Sequence, residues 1–516
     1  MAGALVEALF PKVPADFPNP NAKLVPAAVQ TRKDKSIVIV GGGPAGVHMS
    51  ACLAAQGYTK VTLLEAEPEV GGKSFTTYDP LQPDVPHEMG TCYMSPGYDT
   101  VRSLLKEYDP DNLESDFANE PRGRVVFGAV IDDATKRDFT KGLGYNEWVQ
   151  EEAERVTTPG CCRCLPNRLQ VAPIFVAMQK YVDLHQEIFG KYPYGLPPKP
   201  KNWNMINMTA REWMIKNGLQ VLEPLFIYIQ QAQGYGILDQ IPAFYMLWWF
   251  HPDVANGTLQ AAVKSDEYPV SLLKKGWQSL WLKMKERHSS QVKYITGAAV
   301  TEITRSPHVK VTYTQNGQTK TVEADLLISA VNLYRQRSLI KDLHKDEEAI
   351  FSKLKESTIC TTLYKGKTTS HEHTVEFWFG RQLQPSKLGV GQFYAHRNSR
   401  MAARPEIPAK DSVELRVAYQ FMDRPMQAGD EKKLADTLVE DLKTYAGEPA
   451  VDILLQKPWP YFPRFDSRGL VEGLPWKILQ NLQGQRNTIF IGSSVCFESA
   501  LDCVAYNRLL LDKMIV

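Results

Sequence analysis

Apolar and polar positions alternate in two distinct rhythms along this chain, and the first ordered stretch carries both. Residues 36–40, SIVIV, are a continuous β-branched run that stops at Gly41, the pattern of a parallel strand covered on both faces. Residues 45–57 follow with helical periodicity and close on Gly57, and VTLLE at 61–65 reads as a second strand. Together they predict a βαβ unit. Ahead of it, residues 1–34 are rich in proline and alanine and predict a short helix at 3–10 and then an extended arm.

The middle of the chain is organised differently. LQVAPIFVAMQKYVDLHQEIF (169–189) is spaced as a long amphipathic helix, and MTAREWMIKNGL (208–219) as a shorter one with Thr209 as its N-cap. From 222 to 252 the chain is unusually aromatic, with Phe226, Tyr228, Tyr235, Phe244, Tyr245, Trp248, Trp249 and Phe250. Strand patterns return near 292, with QNGQ (315–318) as a hairpin turn and ADLLISAV (324–331) as a buried strand. Strand-like pieces at 391–397 and 413–422 precede a helical stretch at 431–446, and RNTIFIGSSVCFESALDCVAYNRLLLDKMIV predicts a buried strand, Gly492 and a closing helix.

Composition adds bounds. With 516 residues, 43% hydrophobic and 23% charged, the chain suits two interleaved domains with a large core. A net charge of +1 offers no field for nucleic acid or an anionic membrane. No uninterrupted apolar run reaches the ~18 residues of a membrane span, and the first residues lack the cationic and apolar regions of a secretory leader. A cytoplasmic, reduced setting is expected. Among the eight cysteines, CCRC (161–164) has no second pair nearby to complete a zinc site, so no metal is expected.

The chemistry begins at Gly41, Gly43 and Gly46, a G-x-G-x-x-G between strand and helix. Gly41 makes the tight turn, Gly43 lets a pyrophosphate approach the backbone, and Gly46 lets the helix pack close to the strand. Glu65 ends the second strand, where a carboxylate binds a ribose 2′-hydroxyl and would repel a 2′-phosphate. No second G-x-G-x-x-G with strand context is present for a nicotinamide cofactor.

Three further segments bear on the nucleotide: EVGGKSFT (69–76), HEMGTCY (87–93) and the strand–Gly492–helix block. They resemble the FAD-dependent amine-oxidase-like flavoproteins. That resemblance implies a Rossmann-type FAD-binding domain with an interleaved α+β substrate-binding domain. The first is expected from 35–95, 275–340 and 470–516, and the second from 96–274 and 341–469. It implies that Gly72 and Lys73 clamp the diphosphate from its other side, and that Gly90 and Thr91 pass the flavin ring. It places Ala45, Val300, Gly492, Ser493, Cys503 and Val504 at the cofactor, with Val300 against the adenine. Ser493 stands where the family commonly has an acid, and Lys73 where it usually has arginine.

SPGYDT (95–100), QGYGILDQIPAFYML (233–247), WPYFPRF (459–465) and GQRNTIFIG carry a narrower likeness. They resemble flavin-dependent polyunsaturated fatty acid double-bond isomerases of bacteria and red algae. Fungal β-cyclopiazonate-dehydrogenase-like flavoproteins share some of these features. The resemblance implies hydride abstraction from a doubly allylic carbon, a delocalised cation, and return of the hydride elsewhere on the same chain, inside a dry tunnel. The aromatic belt, with Tyr235 and Phe250, suits such a tunnel, and Tyr394, His396 and Tyr461 are further pocket candidates. A fatty-acid carboxylate needs a cation, for which PRGRVVF (121–127) offers Arg122 and Arg124, the latter being the assigned candidate. An oxidase or dehydrogenase of a specialised metabolite, or a non-catalytic flavin or lipid carrier, would share the cofactor features.

Overall fold

Ile37–Val40 (β1) is buried along its whole length, as four successive apolar residues require when a strand is covered on both faces. It pairs in parallel with Val61–Leu64 (β2), which pairs onward with Val292–Ile295 (β3). On its other side β1 pairs with Leu326–Ser329 (β4), and β4 with Thr488–Phe490 (β5). The resulting parallel sheet runs β5-β4-β1-β2-β3. In this computed structural model the described residues are 11–14, 17–115, 123–125, 143–144, 172–263, 270–367, 375–377, 389–400, 409 and 412–514. All five strands fall in the three segments expected to build the nucleotide domain.

Pro44–Ala55 (α1) follows β1, with proline at the first turn, where its missing N–H costs nothing. It packs against the helix Trp277–His288 and against Ala500–Met514 (α2). The Asn507 side chain on α2 donates to the Ala45 carbonyl at 2.8 Å, pinning the two helices at the edge of the glycine turn.

The second large sheet has seven strands. Its order is Val451–Arg464, Lys355–Lys367, Val413–Met422, Val390–Arg397, Val375–Phe377, Gly123–Val125 and Leu143–Gly144. The strands pair antiparallel except Val375–Phe377 with Gly123–Val125. One face packs on the helix Asp430–Tyr445 through Tyr364, Phe393, Ala418, Leu438 and Leu442. The other faces the interior of the molecule.

Local expectations fare well where side chains decide the backbone. Thr209 Oγ1 accepts from the Glu212 amide at 3.2 Å while the Glu212 carboxylate accepts from the Thr209 amide at 2.9 Å, a reciprocal cap at the head of Ala210–Lys216. Asn316 and Gly317, with φ of 51° and 74°, turn the hairpin between Val309–Gln315 and Gln318–Ala324. The aromatic stretch becomes short helices around a π-turn at Ile227–Gln231, and every residue of Ala243–Trp249 is buried. The closing block differs from expectation: a largely buried loop, 491–499, separates β5 from α2, which starts only at Ala500. The 3–10 segment, the CCRC cluster and Arg122 lie outside the described residues. Among those described, no helix is long and apolar enough to cross a membrane.

Candidate functional site

The glycine turn shows why each glycine stands where it does. Gly41 has φ of 105°, a conformation that disfavours side chains. A Cβ on Gly46 would stand 1.9 Å from the Gly41 carbonyl oxygen, so α1 can follow β1 this tightly only with glycine there. Gly43 meets nothing closer than the Gly72 Cα, at 3.9 Å, whereas a Cβ on Gly72 would come within 2.9 Å of the Gly43 Cα. The two glycine turns therefore face each other and leave backbone, not side chain, at the edge of a cleft. Glu65 is locked at the same edge: its carboxylate accepts from the Gly42 amide at 2.5 Å and from the Glu67 amide at 2.8 Å. Burial holds its pKa above the ordinary carboxylate value, against the pull of these amides.

The cleft, about 380 Å³, runs between the parallel sheet and the inner face of the seven-stranded sheet. At the glycine end its walls are Gly41, Gly43, Pro44, Ala45, Glu65 and Gly72, joined by Ala330, Asn332, Arg335, Gly492 and Ser493. Further along come Lys73, Gly90, Thr91 and Cys503, and then an apolar and aromatic region with Tyr235, Ile359, Phe377, Tyr394, Tyr419 and Tyr461. Tyr235 and Tyr461 stack at 5.8 Å between centroids with rings 12° apart, and Tyr394 is fixed by donating to the Ala232 carbonyl at 3.0 Å. Stacked and hydrogen-bonded tyrosines thus present ring surface to the cleft, which gives a stiff, largely apolar wall.

Several candidates sit elsewhere or do something else. Lys73 does line the cleft, and its ammonium is held there by Glu498 at 2.8 Å and by the Pro460 carbonyl at 2.9 Å. Gly90 is required by chain packing, since a Cβ would lie 1.9 Å from the Lys73 carbonyl oxygen. Val300, half-buried on Ala299–Thr304, is not among the cleft-lining residues, and neither is Val504, which is fully buried on α2. Phe250 packs into the helical core against Tyr181 and Phe226, at 5.5 and 5.3 Å. His396 lies on the outer face of the seven-stranded sheet, 2.7 Å from the Tyr364 hydroxyl and from the Glu376 carboxylate. Of Arg124 only the backbone is described; it stands in register with Glu376, while its neighbours Gly123 and Val125 pair with the cleft-lining Val375 and Phe377.

Glu498, Asn332 and Arg335 were not singled out from sequence. Ser493 stands where the resembled flavoproteins commonly have an acid, and the buried 491–499 loop brings a different acid, Glu498, to the cleft, where it also accepts from the Phe462 amide at 2.9 Å. Ser494 Oγ donates to Asn332 at 3.0 Å and so joins the β4 and β5 loops.

Asp502, in the first turn of α2, supports this loop from behind. Its carboxylate accepts from Ser499, Tyr194 and the Trp248 indole at 2.6, 3.0 and 3.0 Å. Burial nonetheless raises its pKa from 3.8 to about 6. The folded state then binds more protons than the unfolded one between those values, so this contribution is present below pH ~4 and is lost as pH rises through about 6. The loss amounts to about 3 kcal/mol. Asp502→Asn is expected to flatten that part of the profile, read as the difference in thermal midpoint between wild type and variant from pH 4 to 8; parallel profiles would refute it.

Comparison with known proteins agrees with this architecture. Residues 39–108 match the model of NAD(P)-binding Rossmann-like domains. The chain is 23% identical over 513 residues to the polyenoic fatty acid isomerase of Ptilota filicina, covering 91% of this chain and 93% of that protein. A CLA-producing fatty acid isomerase from P. acnes superposes with a TM-score of 0.67 at 20% identity, covering 94% of this chain and all of that one (100%). A triple variant of putrescine oxidase superposes with a TM-score of 0.60 at 16% identity over 93% of this chain and 98% of its own. The chain thus has an amine-oxidase-like α/β fold and is similar over nearly its whole length to a fatty acid isomerase.

Proposed function

We propose that the chain is an FAD-dependent enzyme acting on an apolar, carboxylate-bearing substrate, and that its outcome is isomerisation of polyunsaturated fatty acid double bonds. The observation that carries this reading is one continuous cleft with two unlike ends: glycine backbone and Glu65 at one, restrained aromatic rings at the other. Similarity to fatty acid isomerases supports the substrate class.

The residues fit FAD. Glu65, held by two amides, is presented for a ribose hydroxyl. The facing Gly43 and Gly72 form a cradle that a Cβ would fill, and the first turn of α1 opens onto it. Thr91, Gly492, Ser493 and Cys503 line the stretch between this cradle and the aromatic end. When bound, FAD supplies hydride acceptance and donation at its flavin ring. The protein's part is positioning and dryness. Tyr235, Tyr394 and Tyr461 confine an acyl chain and exclude water that would trap a carbocation. Glu498 is tied to Lys73 and the Phe462 amide, which takes it out of service as a base, and hydride transfer to and from the same chain requires none.

Anaerobic mixing of flavin-loaded protein with a polyunsaturated fatty acid tests this. The expected result is conjugated ultraviolet absorbance with the flavin oxidised at the end. A permanently bleached flavin, or peroxide formed in air in proportion to substrate, would assign the protein as an oxidase or dehydrogenase instead.

A further inference from the structure

Arg397 closes the strand Val390–Arg397 and is 1% exposed. Its Nη2 donates to the Glu88 carbonyl at 3.3 Å, while Nε and Nη1 have no hydrogen-bond partner. Among the described residues no carboxylate lies within ion-pairing distance of it. The Glu88 carboxylate, nearest in sequence to that carbonyl, is turned to Thr76 Oγ1 and the Trp277 amide, at 2.8 and 2.7 Å. A buried guanidinium without a counter-charge is costly, by several kcal/mol. Folds keep such a group where something else completes it.

Arg397 does not itself line the cleft; it stands behind residues that form the cleft's aromatic end. Its guanidinium sits 6.0 Å from the centroid of the Tyr93 ring, and Cys92, Tyr93 and Tyr419 are the polar groups most strongly coupled to it. All three line the cleft. The Tyr419 hydroxyl is buried and also has no partner, as are both ring nitrogens of His87. Burial, reinforced by the Arg397 charge, lowers the His87 pKa to about 4, so His87 stays neutral and adds no rival cation. Among the described residues, the two cations that line the cleft directly are otherwise placed. Lys73 is neutralised by Glu498, and Arg335 lies toward the glycine end, 3.8 Å from Glu356.

We propose that Arg397, with the Tyr419 hydroxyl, is the anchor for a carboxylate group entering the aromatic end of the cleft. Two guanidinium nitrogens and a phenol match a carboxylate's two oxygens, and a planar fork binds such a group bidentately. This deepens the reading above and rests on a carboxylate-bearing substrate. It moves the anchoring role from Arg124 to a residue on the neighbouring part of the same sheet.

Binding by titration calorimetry tests it with two ligand pairs: linoleate against methyl linoleate, and phenylacetate against phenylacetamide. Wild type is expected to prefer linoleate over its ester about 10- to 100-fold. Arg397→Gln is expected to abolish that preference by weakening the acid alone, Arg397→Lys to keep part of it, and Tyr419→Phe to reduce it. Full acid preference in Arg397→Gln overturns the proposal, as does equal binding of acid and ester by wild type. Should neither lipid bind wild type, the fatty-acid reading fails by itself and the small pair decides. Arg397-dependent preference for phenylacetate keeps the anion site, and its absence overturns it. If Arg397→Gln does not fold by thermal melting, Arg397→Lys and Tyr419→Phe supply the same comparison.

Discussion

Gly46→Ala is expected to yield protein purified without flavin and less stable by about 3 kcal/mol or more. The added Cβ would sit 1.9 Å from the Gly41 carbonyl oxygen, with Ile39 Cγ2 at 3.6 Å behind it. Both are parts of β1 or its turn, so relief requires α1 to move off the sheet by more than an ångström. Such a shift removes the first-turn amides from the cleft and strains the Asn507–Ala45 link to α2. Gly43→Ala is the informative partner. Its Cβ finds only the Gly72 Cα at 3.9 Å, so the protein alone tolerates it and its thermal midpoint is expected to stay near wild type. Its methyl nevertheless enters the nucleotide's space, and flavin content is expected to fall. Absorbance of the purified proteins and thermal melts separate the two; equal melting of Gly46→Ala and wild type would contradict the packing argument.

Glu347→Ala is expected to cost about 3–5 kcal/mol. Arg305 is held by both Glu347 carboxylate oxygens, at 2.6 and 2.8 Å, and by Asp342 at 3.2 Å, with the Arg305 and Glu347 side chains each 1% exposed. Burial opposes the Arg305 charge, and Glu347 and Asp342 more than restore it, raising its pKa. Removing Glu347 leaves the guanidinium with Asp342 as its one partner and Nη1 without an acceptor. The pair ties the helix Lys345–Phe351 to the end of Ala299–Thr304, so a lower urea midpoint for the whole protein is the readout. Arg305→Met combined with Glu347→Leu is expected to recover much of the loss, because the penalty comes from the stranded charge more than from a missing attraction.

What could be read from sequence follows from how local each determinant is. The βαβ unit was legible because SIVIV must be covered on both faces and because the glycine spacing is a steric requirement of one turn. The Thr209–Glu212 cap and the Asn316–Gly317 hairpin were legible for the same reason: partners lie within three residues. The partner of Lys73 was not legible, because Glu498 lies more than four hundred positions away and is brought close only by the 491–499 loop. Phe250 and Tyr235 look alike in an aromatic stretch, yet one packs on Tyr181 and the other on Tyr461. Arg397 gave no signal at all. A lone arginine at the end of a strand becomes notable only when no described carboxylate proves to lie within ion-pairing distance of it and two of its nitrogens lack a partner.

The order β5-β4-β1-β2-β3 has a consequence for biosynthesis. β1 and β2 are made well before their sheet neighbours β3 and β4, and β5, which pairs with β4, comes last at Thr488–Phe490. The βαβ unit must therefore wait, apolar edges open, through several hundred residues of synthesis, a situation that favours chaperone engagement and slow, non-local folding. Gly492 and Ser493 emerge later still, so the glycine end of the cleft is complete only after β5 has been made.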